Sequence, residues 1–423
     1  MTEGLVRLRA CGPMVVALVL AAFTVRLAPR DALLPAWLPF ALGLLALAWP
    51  MLRPVNVSRD DTLPALAVLL ASIGLAVVAR LQPQLAQKQI VWLAFSLILA
   101  MAAGPAFDRF RILAAYKYIW ILAAIALFVA LALFGEEVNG ARLWIHFGPV
   151  RFEPVEVIKL LVVLFMASYL AETADVIART RPWSLRSNAK YLGPLFVGWG
   201  ISMMILTLEH DLGMAALLLA TFVAMLYVAT RRIDLVVGAI AVFGLGAWWA
   251  ATHFRYVAMR IAVWKDPFHD PLGAGYQAVQ SLFALANGGL FGTGFGLGRP
   301  DYIPEVATDY PYAAIGEEWG AIGSIAVLAL FLALVLRALR VANRQPDLYA
   351  KLLATGLAAV FGFQILIIVG GVLHLFPLTG ITLPFISYGG SSLVTNFLLV
   401  ALVWAISSER RAPEPARGRL RTS

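Results

Sequence analysis

Residues 154–165 read Pro154-Val155-Glu156-Val157-Ile158-Lys159-Leu160-Leu161-Val162-Val163-Leu164-Phe165, an apolar run that carries one acid and one base. With the apolar residues that follow, it is long enough to cross a bilayer, which takes roughly 17–25 residues of helix. A spacing of three puts Glu156 and Lys159 on one helix face, where they can pair. Each alone is costly in lipid, and such residues face a bundle interior or a water-filled cavity. Two readings follow: an ion pair that locks helices together, or a pair that lines a cavity. Either way this helix needs neighbours.

The rest of the chain supplies them. Of 423 residues 61% are hydrophobic and only 13% charged, and the mean hydropathy is +0.84. A soluble chain carries about 25% charged residues. Apolar stretches predict spans near 13–29, 34–52, 62–80, 89–105, 115–135, 154–171, 193–209, 211–229, 234–252, 311–336, 352–373 and 388–407. The expected fold is therefore all-α, a polytopic membrane protein of about 12 transmembrane helices. The first run is not a signal-peptide core, because Arg26 and Arg30 follow it without a small-residue cleavage pattern and further spans come after. Cys11 is the single cysteine, so an intrachain disulfide is excluded and thiol ligation of a metal is not expected.

The basic residues orient the bundle. With a cytoplasmic N-terminus, about two-thirds of the 33 Lys+Arg fall on the cytoplasmic side, as the positive-inside rule requires. The net charge of +9 is then mostly an inner-leaflet feature. No basic patch interleaved with exposed aromatics or binding motif points to nucleic acid. The outer segments are 136–153, the Glu209-His210-Asp211 turn, the long segment 253–310 and 374–387. Long loops are functional or disordered, and 253–310 is too apolar for disorder, with Tyr276, Leu282, Phe283, Leu290 and Phe295 needing somewhere to pack. It predicts a short amphipathic helix over about 275–286 on the outer face.

Within that loop, Trp264–Gln280 contains two Asp-Pro pairs, at Asp266 and Asp270. Asp before Pro favours turns, so turn formation is one role for both. Acids held in a Pro- and Gly-shaped loop at a membrane surface also suit chemistry. Glu209, Asp211, Glu317 and Glu318 are further acids at outer span ends, and with Lys159 they suggest a polar cleft opening outward. Asp211 before Leu-Gly-Met also reads as a helix N-cap. The glycines 288, 289, 292, 294, 296 and 298 lack the strand–loop–helix setting of a dinucleotide fingerprint. They predict a re-entrant or surface loop whose amides can approach an anion. Ser387–Ser392 opens the last span with small residues suited to close helix packing or to lining a cleft.

Taken in order, these pieces resemble the SEDS family (shape, elongation, division and sporulation), the RodA/FtsW proteins. The carriers are Asn139-Gly140-Ala141-Arg142, Phe152 through Lys159, Asp211-Leu212-Gly213, Asp270-Pro271-Leu272-Gly273-Ala274-Gly275-Tyr276-Gln277 with Gln280-Ser281, Thr308-Asp309, Ile315 through Gly320, Pro377 through Gly380 and Leu383 through Ser392. The resemblance implies a ten-helix glycosyltransferase core over 62–408, which includes the 253–310 loop. It leaves an N-terminal extension of two helices at 1–61 and a basic cytoplasmic tail at 409–423. Among the departures, Val155 stands where the family has Ser, and Ile368 where it has an asparagine of the penultimate span.

The resemblance implies a peptidoglycan glycosyltransferase in the bacterial cytoplasmic membrane, multi-pass, with both termini cytoplasmic and the site facing outward. The implied substrates are lipid II and the growing glycan strand, and the implied partner is a class B penicillin-binding protein. Asp270 matches the family's catalytic aspartate, and Glu156 and Lys159 match its buried pair. Arg142, Arg260, Gln277 and Gln280 join that pair as expected substrate-binding residues. So do Thr308, Glu318 and Ser387. The acceptor hydroxyl must lose a proton as its bond forms, which asks for a carboxylate base. The departing pyrophosphate needs cationic compensation, from Lys159, Arg142 and Arg260 or from a divalent cation such as Mg or Mn. Two other classes remain: a lipid-linked precursor flippase or transporter, which predicts paired repeats with broken helices, and a non-catalytic scaffold for a cell-wall synthase.

Overall fold

The computed structural model describes residues 57–138, 141–148, 150–179 and 211–410, with the single residues 191, 193 and 200. The expected spans near 13–29 and 34–52, most of 193–209, and the tail beyond 410 lie outside these residues. Every other expected span coincides with a helix. In chain order they are α1 (Thr62–Leu81), α2 (Pro83–Phe107), α3 (Lys117–Phe134), α4 (Pro154–Arg179), α5 (Leu212–Thr230) and α6 (Ile233–His253). Two shorter helices follow in the loop region, α7 (Arg255–Lys265) and α8 (Tyr276–Gly288), and then α9 (Pro311–Arg344), α10 (Leu348–Val372) and α11 (Gly390–Ile406). Eight helices among the described residues are long and apolar enough to cross a membrane, and α11 is a shorter apolar one.

The ends of the helices follow local chemistry. Pro83 and Pro311 start α2 and α9, where a missing N–H costs nothing. Asp211 caps α5 by accepting from the Met214 amide, and Asp347 caps α10 by accepting from Ala350. Helix α9 outruns its apolar stretch by two turns because Arg337, Arg340 and Arg344 favour a helix C-terminus in water. The expected helix near 275–286 is α8; α7 was not expected.

The chain is not helical throughout. Glu136–Val138, Ala141–Phe147 and Val150–Phe152 form an antiparallel sheet, pairing Val138 with Ala141 and Ile145 with Phe152. Val57–Ser58 pairs with Glu409–Arg410 beside the two ends of the described core.

Burial sorts the helices. The apolar windows of α1, α4 and α10 are 83%, 78% and 72% buried, and that of α6 only 11%. The first three form the centre. Helix α6 turns Ile233, Val237, Ile240, Leu245 and Trp248 outward, a surface suited to lipid. Helix α11 lies against α2, and α10 against α4, α5 and α9. A Cβ on Gly390 would sit 2.3 Å from the Trp92 ring, so α11 approaches α2 only because that residue is glycine.

Candidate functional site

Lys159 sits at the centre of a polar knot. Its ammonium pairs with Glu156 one turn away, and the two side chains are 0% and 2% exposed. The ammonium also donates to Gln364 Oε1 of α10 at 3.1 Å and to Asn396 Oδ1 of α11 at 3.4 Å. Thr382 Oγ1 donates to Glu156 at 3.3 Å and lies 2.7 Å from Ser392 Oγ, which accepts from Asn396. Gln364 returns to the Thr382 carbonyl at 2.8 Å. The knot thus ties α4, α10, α11 and the 373–389 segment together, and a buried charge pair needs such additional bonds. The expectation that Lys159 and Glu156 line an open cleft is corrected here, because Lys159 has no exposed surface and its partners enclose it.

The open polar space lies beside the knot. A cavity of about 210 Å³ is bounded by α7, α8 and the 373–389 segment. Its polar lining is Arg260, Gln277, Ser281, Asp309 and His374. Arg260 is held by the carbonyls of Leu378 and Thr379, at 3.3 and 2.9 Å. Carbonyls orient a guanidinium without cancelling its charge, so the cavity keeps a positive wall. Trp264 fixes the other edge by donating to the His374 carbonyl, and His374 Nε2 is buried without a protein partner. Burial and the nearby Glu305 raise the Asp309 carboxyl to about 7, against the lowering effects of the Thr308 hydroxyl and Arg260. Asp309 therefore changes charge near neutral pH.

Asp270 lies exposed at the rim. Its Oδ2 accepts from the Ala274 amide at 2.9 Å, and Ala274 itself lines the cavity. A Cβ on Gly273 would fall 2.2 Å from that same oxygen, so glycine there leaves the room in which the Asp270 carboxylate lies. Asp266 caps the turn Pro267–His269 by accepting from the Phe268 amide. Both aspartates form turns, and Asp270 alone does so beside the cavity wall.

Of the other expected residues, Arg260 and Gln277 line the cavity and Gln280 does not. The Thr308 hydroxyl turns back to the Glu305 carbonyl, which leaves Asp309 as the cavity-facing member of that pair. Ser387 is structural: its hydroxyl donates to the Thr308 carbonyl at 2.6 Å and accepts from the Leu383 amide. Glu318 lies 5% exposed and pairs with Arg80, away from the cavity lining. The side chain of Arg142 lies outside the described residues; its backbone belongs to the three-stranded sheet. The glycine series wraps the break in α9 at Gly320. Amides of Thr293 and Gly294 donate to the Glu317 and Glu318 carbonyls, and Ala321 donates to the Gly289 carbonyl. Those amides are spent on the protein, and the loop amides that do meet an anion meet the protein's own carboxylates: Gly296 donates to Glu318 and Arg299 to Glu317 at 3.1 Å. Sequence reasoning missed Asp309, His374, Gln364 and Asn396. A signal existed for the last two, since an amide inside an apolar span needs an internal partner. Among the described residues no group of three His, Cys, Asp or Glu side chains is arranged to hold a metal.

The FtsW/RodA/SpoVE family model, described as a cell cycle protein, matches residues 57–412. The peptidoglycan glycosyltransferase RodA of Mycobacterium tuberculosis is 37% identical over 381 residues, covering 85% of this chain and 80% of that protein. Stage V sporulation protein E of Bacillus subtilis is 37% identical over 277 residues, 64% of this chain and 73% of that one. Among solved structures, a chain from a peptidoglycan synthase complex that coordinates polymerization and crosslinking superposes with TM-score 0.68 at 28% identity, covering 83% of this chain and 98% of that one. The rod shape determining protein RodA of Thermus thermophilus superposes with TM-score 0.60 at 27% identity, over 83% and 97%.

Proposed function

This chain belongs to the FtsW/RodA/SpoVE family of cell cycle proteins, and from that premise we propose how its cavity works. The chain is a multi-pass membrane protein and a peptidoglycan glycosyltransferase. In our reading it sits in the bacterial cytoplasmic membrane with the Asp270 loop outside. There it polymerises glycan strands from lipid II beside a class B penicillin-binding protein, which crosslinks the peptides. One observation carries the site assignment: a positively lined cavity closes against the turn that Asp270 forms.

Asp270 is the base. Its carboxylate takes the proton of the acceptor hydroxyl as that oxygen bonds to the donor's anomeric carbon. The bond from that carbon to the pyrophosphate oxygen breaks in line, its electron pair leaves with the polyprenyl pyrophosphate, and configuration inverts. The leaving group needs charge compensation and no acid, unlike a glycosidase leaving group. Arg260 supplies that charge from its carbonyl mount, with a divalent cation as a second source when bound. Lys159 and Glu156 act from the knot, setting the 373–389 segment that carries the carbonyls under Arg260.

The test is glycan polymerisation by the purified full chain on lipid II, with and without its transpeptidase partner. Asp270→Asn abolishes product at unchanged folded level, while Asp266→Asn, which keeps a side-chain acceptor for the Phe268 amide, retains most of it. Equal loss from both variants, or an active Asp270→Asn, removes Asp270 as the base.

A further inference from the structure

His374 occupies a position that asks for glycine. Helix α10 closes with the His374 amide donating to the Gly371 carbonyl at 3.1 Å and the Leu375 amide to the Gly370 carbonyl at 2.7 Å. That pair of bonds needs a left-handed residue at the first position past the cap, and glycine is the usual occupant because a Cβ crowds the backbone there. His374 takes φ +63° all the same. Phe385 bears the same strain at φ +65° and offsets it with a ring packed in the core, 2% exposed. His374 is only half-buried, and its Nε2, shielded from water, has no protein hydrogen-bond partner. The strain therefore places an imidazole that the fold itself leaves unused.

Its side chain lines the cavity beside Asp270, and it is not the only unused group there. Ser281, on α8, lines the same space; it is 1% exposed and its Oγ also lacks a hydrogen-bond partner. Arg260 comes from α7, mounted on the Leu378 and Thr379 carbonyls. Three polar heads from three elements thus share one wall-to-wall space. A buried polar atom left unpaired costs free energy until something pairs it. Arg260 can only donate, whereas a hydroxyl and an imidazole can do so too. The partner that satisfies all three is rich in acceptors and offers them in several directions, as phosphate oxygens do. Asp309, the one acid among the lining residues, does not oppose an anion there. Its carboxyl keeps its proton up to about pH 7, and a neighbouring anion holds that proton more firmly still.

We propose that His374 binds the glycosyl donor: its imidazole Nε2 and the Ser281 hydroxyl hydrogen-bond the pyrophosphate oxygens alongside Arg260. The proposal rests on the reading of the cavity given above and adds two contacts to it. Both groups are neutral donors held in place before the substrate arrives. They stabilise the charge that gathers on the leaving oxygen without reorganising as the bond breaks. The Trp264 indole, which donates to the His374 carbonyl at 3.1 Å, fixes the backbone from which the imidazole reaches.

Native mass spectrometry of the detergent-purified full chain tests this, with farnesyl pyrophosphate and farnesol as probes that share one hydrocarbon chain. The wild-type chain retains the pyrophosphate in preference to the alcohol. His374→Phe, which keeps a ring and loses both nitrogens, weakens the pyrophosphate by about ten-fold, the worth of one hydrogen bond to a charged group. Farnesol is unchanged. His374→Gly suits the left-handed backbone, so its melting temperature is no lower than that of wild type while its pyrophosphate binding falls equally. It serves alone if His374→Phe fails to fold. Ser281→Ala, harmless to a helix, weakens the pyrophosphate too. Undiminished pyrophosphate binding in the folded His374 variants overturns the proposal, and with a lowered melting temperature it assigns the imidazole to the end of α10 alone. Equal retention of the two probes by wild type also overturns it. Polymerisation is not read here, so failure of Asp270 as the base would leave this result standing.

Discussion

Asp309 is the residue whose chemistry depends most on where the fold puts it. An aspartate in water is ionised at any pH the cell meets. Here burial and the neighbouring Glu305 hold its proton until about pH 7. The sign for stability follows. Between the unfolded value near 3.8 and about 7 the folded chain binds more protons than the unfolded one, so raising pH through that window costs stability. Asp309→Asn removes the cost. Thermal melts in detergent should show the variant gaining on wild type at pH 8 and matching it at pH 4, and a constant difference at both would place the titration elsewhere. Sequence alone could not select this residue. Thr308 and Asp309 are adjacent and equally polar, and only the turn back to Glu305 decides that the threonine faces the loop and the aspartate the cavity. Asp270 stood out only through its match to the family's catalytic aspartate, since Asp266 is followed by a proline in the same way and the local pattern reads as a turn for both.

At the scale of elements, the Lys159 knot decides how three helices and one loop stay together. Removing one member of a buried ion pair leaves the other charge unsolvated, at about 3–5 kcal/mol. Lys159→Met should therefore lower the melting temperature and the folded yield sharply. Combining it with Glu156→Gln should restore most of both, because the Gln carbonyl still accepts from Thr382. Activity per folded molecule should recover with them, since no face of Lys159 meets the cavity. A double variant that is stable yet inactive would give the ammonium a direct role at the donor. The pair itself was legible as an i,i+3 spacing in an apolar run, but its partners were not, because Gln364 and Asn396 lie more than two hundred residues away in sequence. The transmembrane helices were legible for the opposite reason, as hydropathy is a local property. The three-stranded sheet was overlooked although Asn139-Gly140 is a hairpin signal in the sequence and Ala141, Leu143, Ile145 and Phe147 alternate with Arg142, Trp144 and His146; membrane-scale hydropathy hid that period-two pattern.

The whole molecule is polar at both ends and divided by its bundle. One end carries the Asp270 turn and the Arg260 cavity; the other gathers arginines 59, 337, 340 and 344. The Lys/Arg distribution predicts that the second end faces the cytoplasm, and this can be tested without any activity assay. The single cysteine, Cys11, permits a clean background by Cys11→Ser. On that background Leu272→Cys, at a position 88% exposed beside Asp270, should react with a membrane-impermeant maleimide on intact spheroplasts. Asn343→Cys, exposed among the arginines that end α9, should react only after the membrane is opened. Neither side chain makes a hydrogen bond or packs in the core, so labelling reads topology rather than a damaged fold. If Asn343→Cys labels from outside and Leu272→Cys does not, the chain sits the other way up. An outward-facing polymerase site would then be impossible, because lipid-linked sugars presented outside would never meet Asp270.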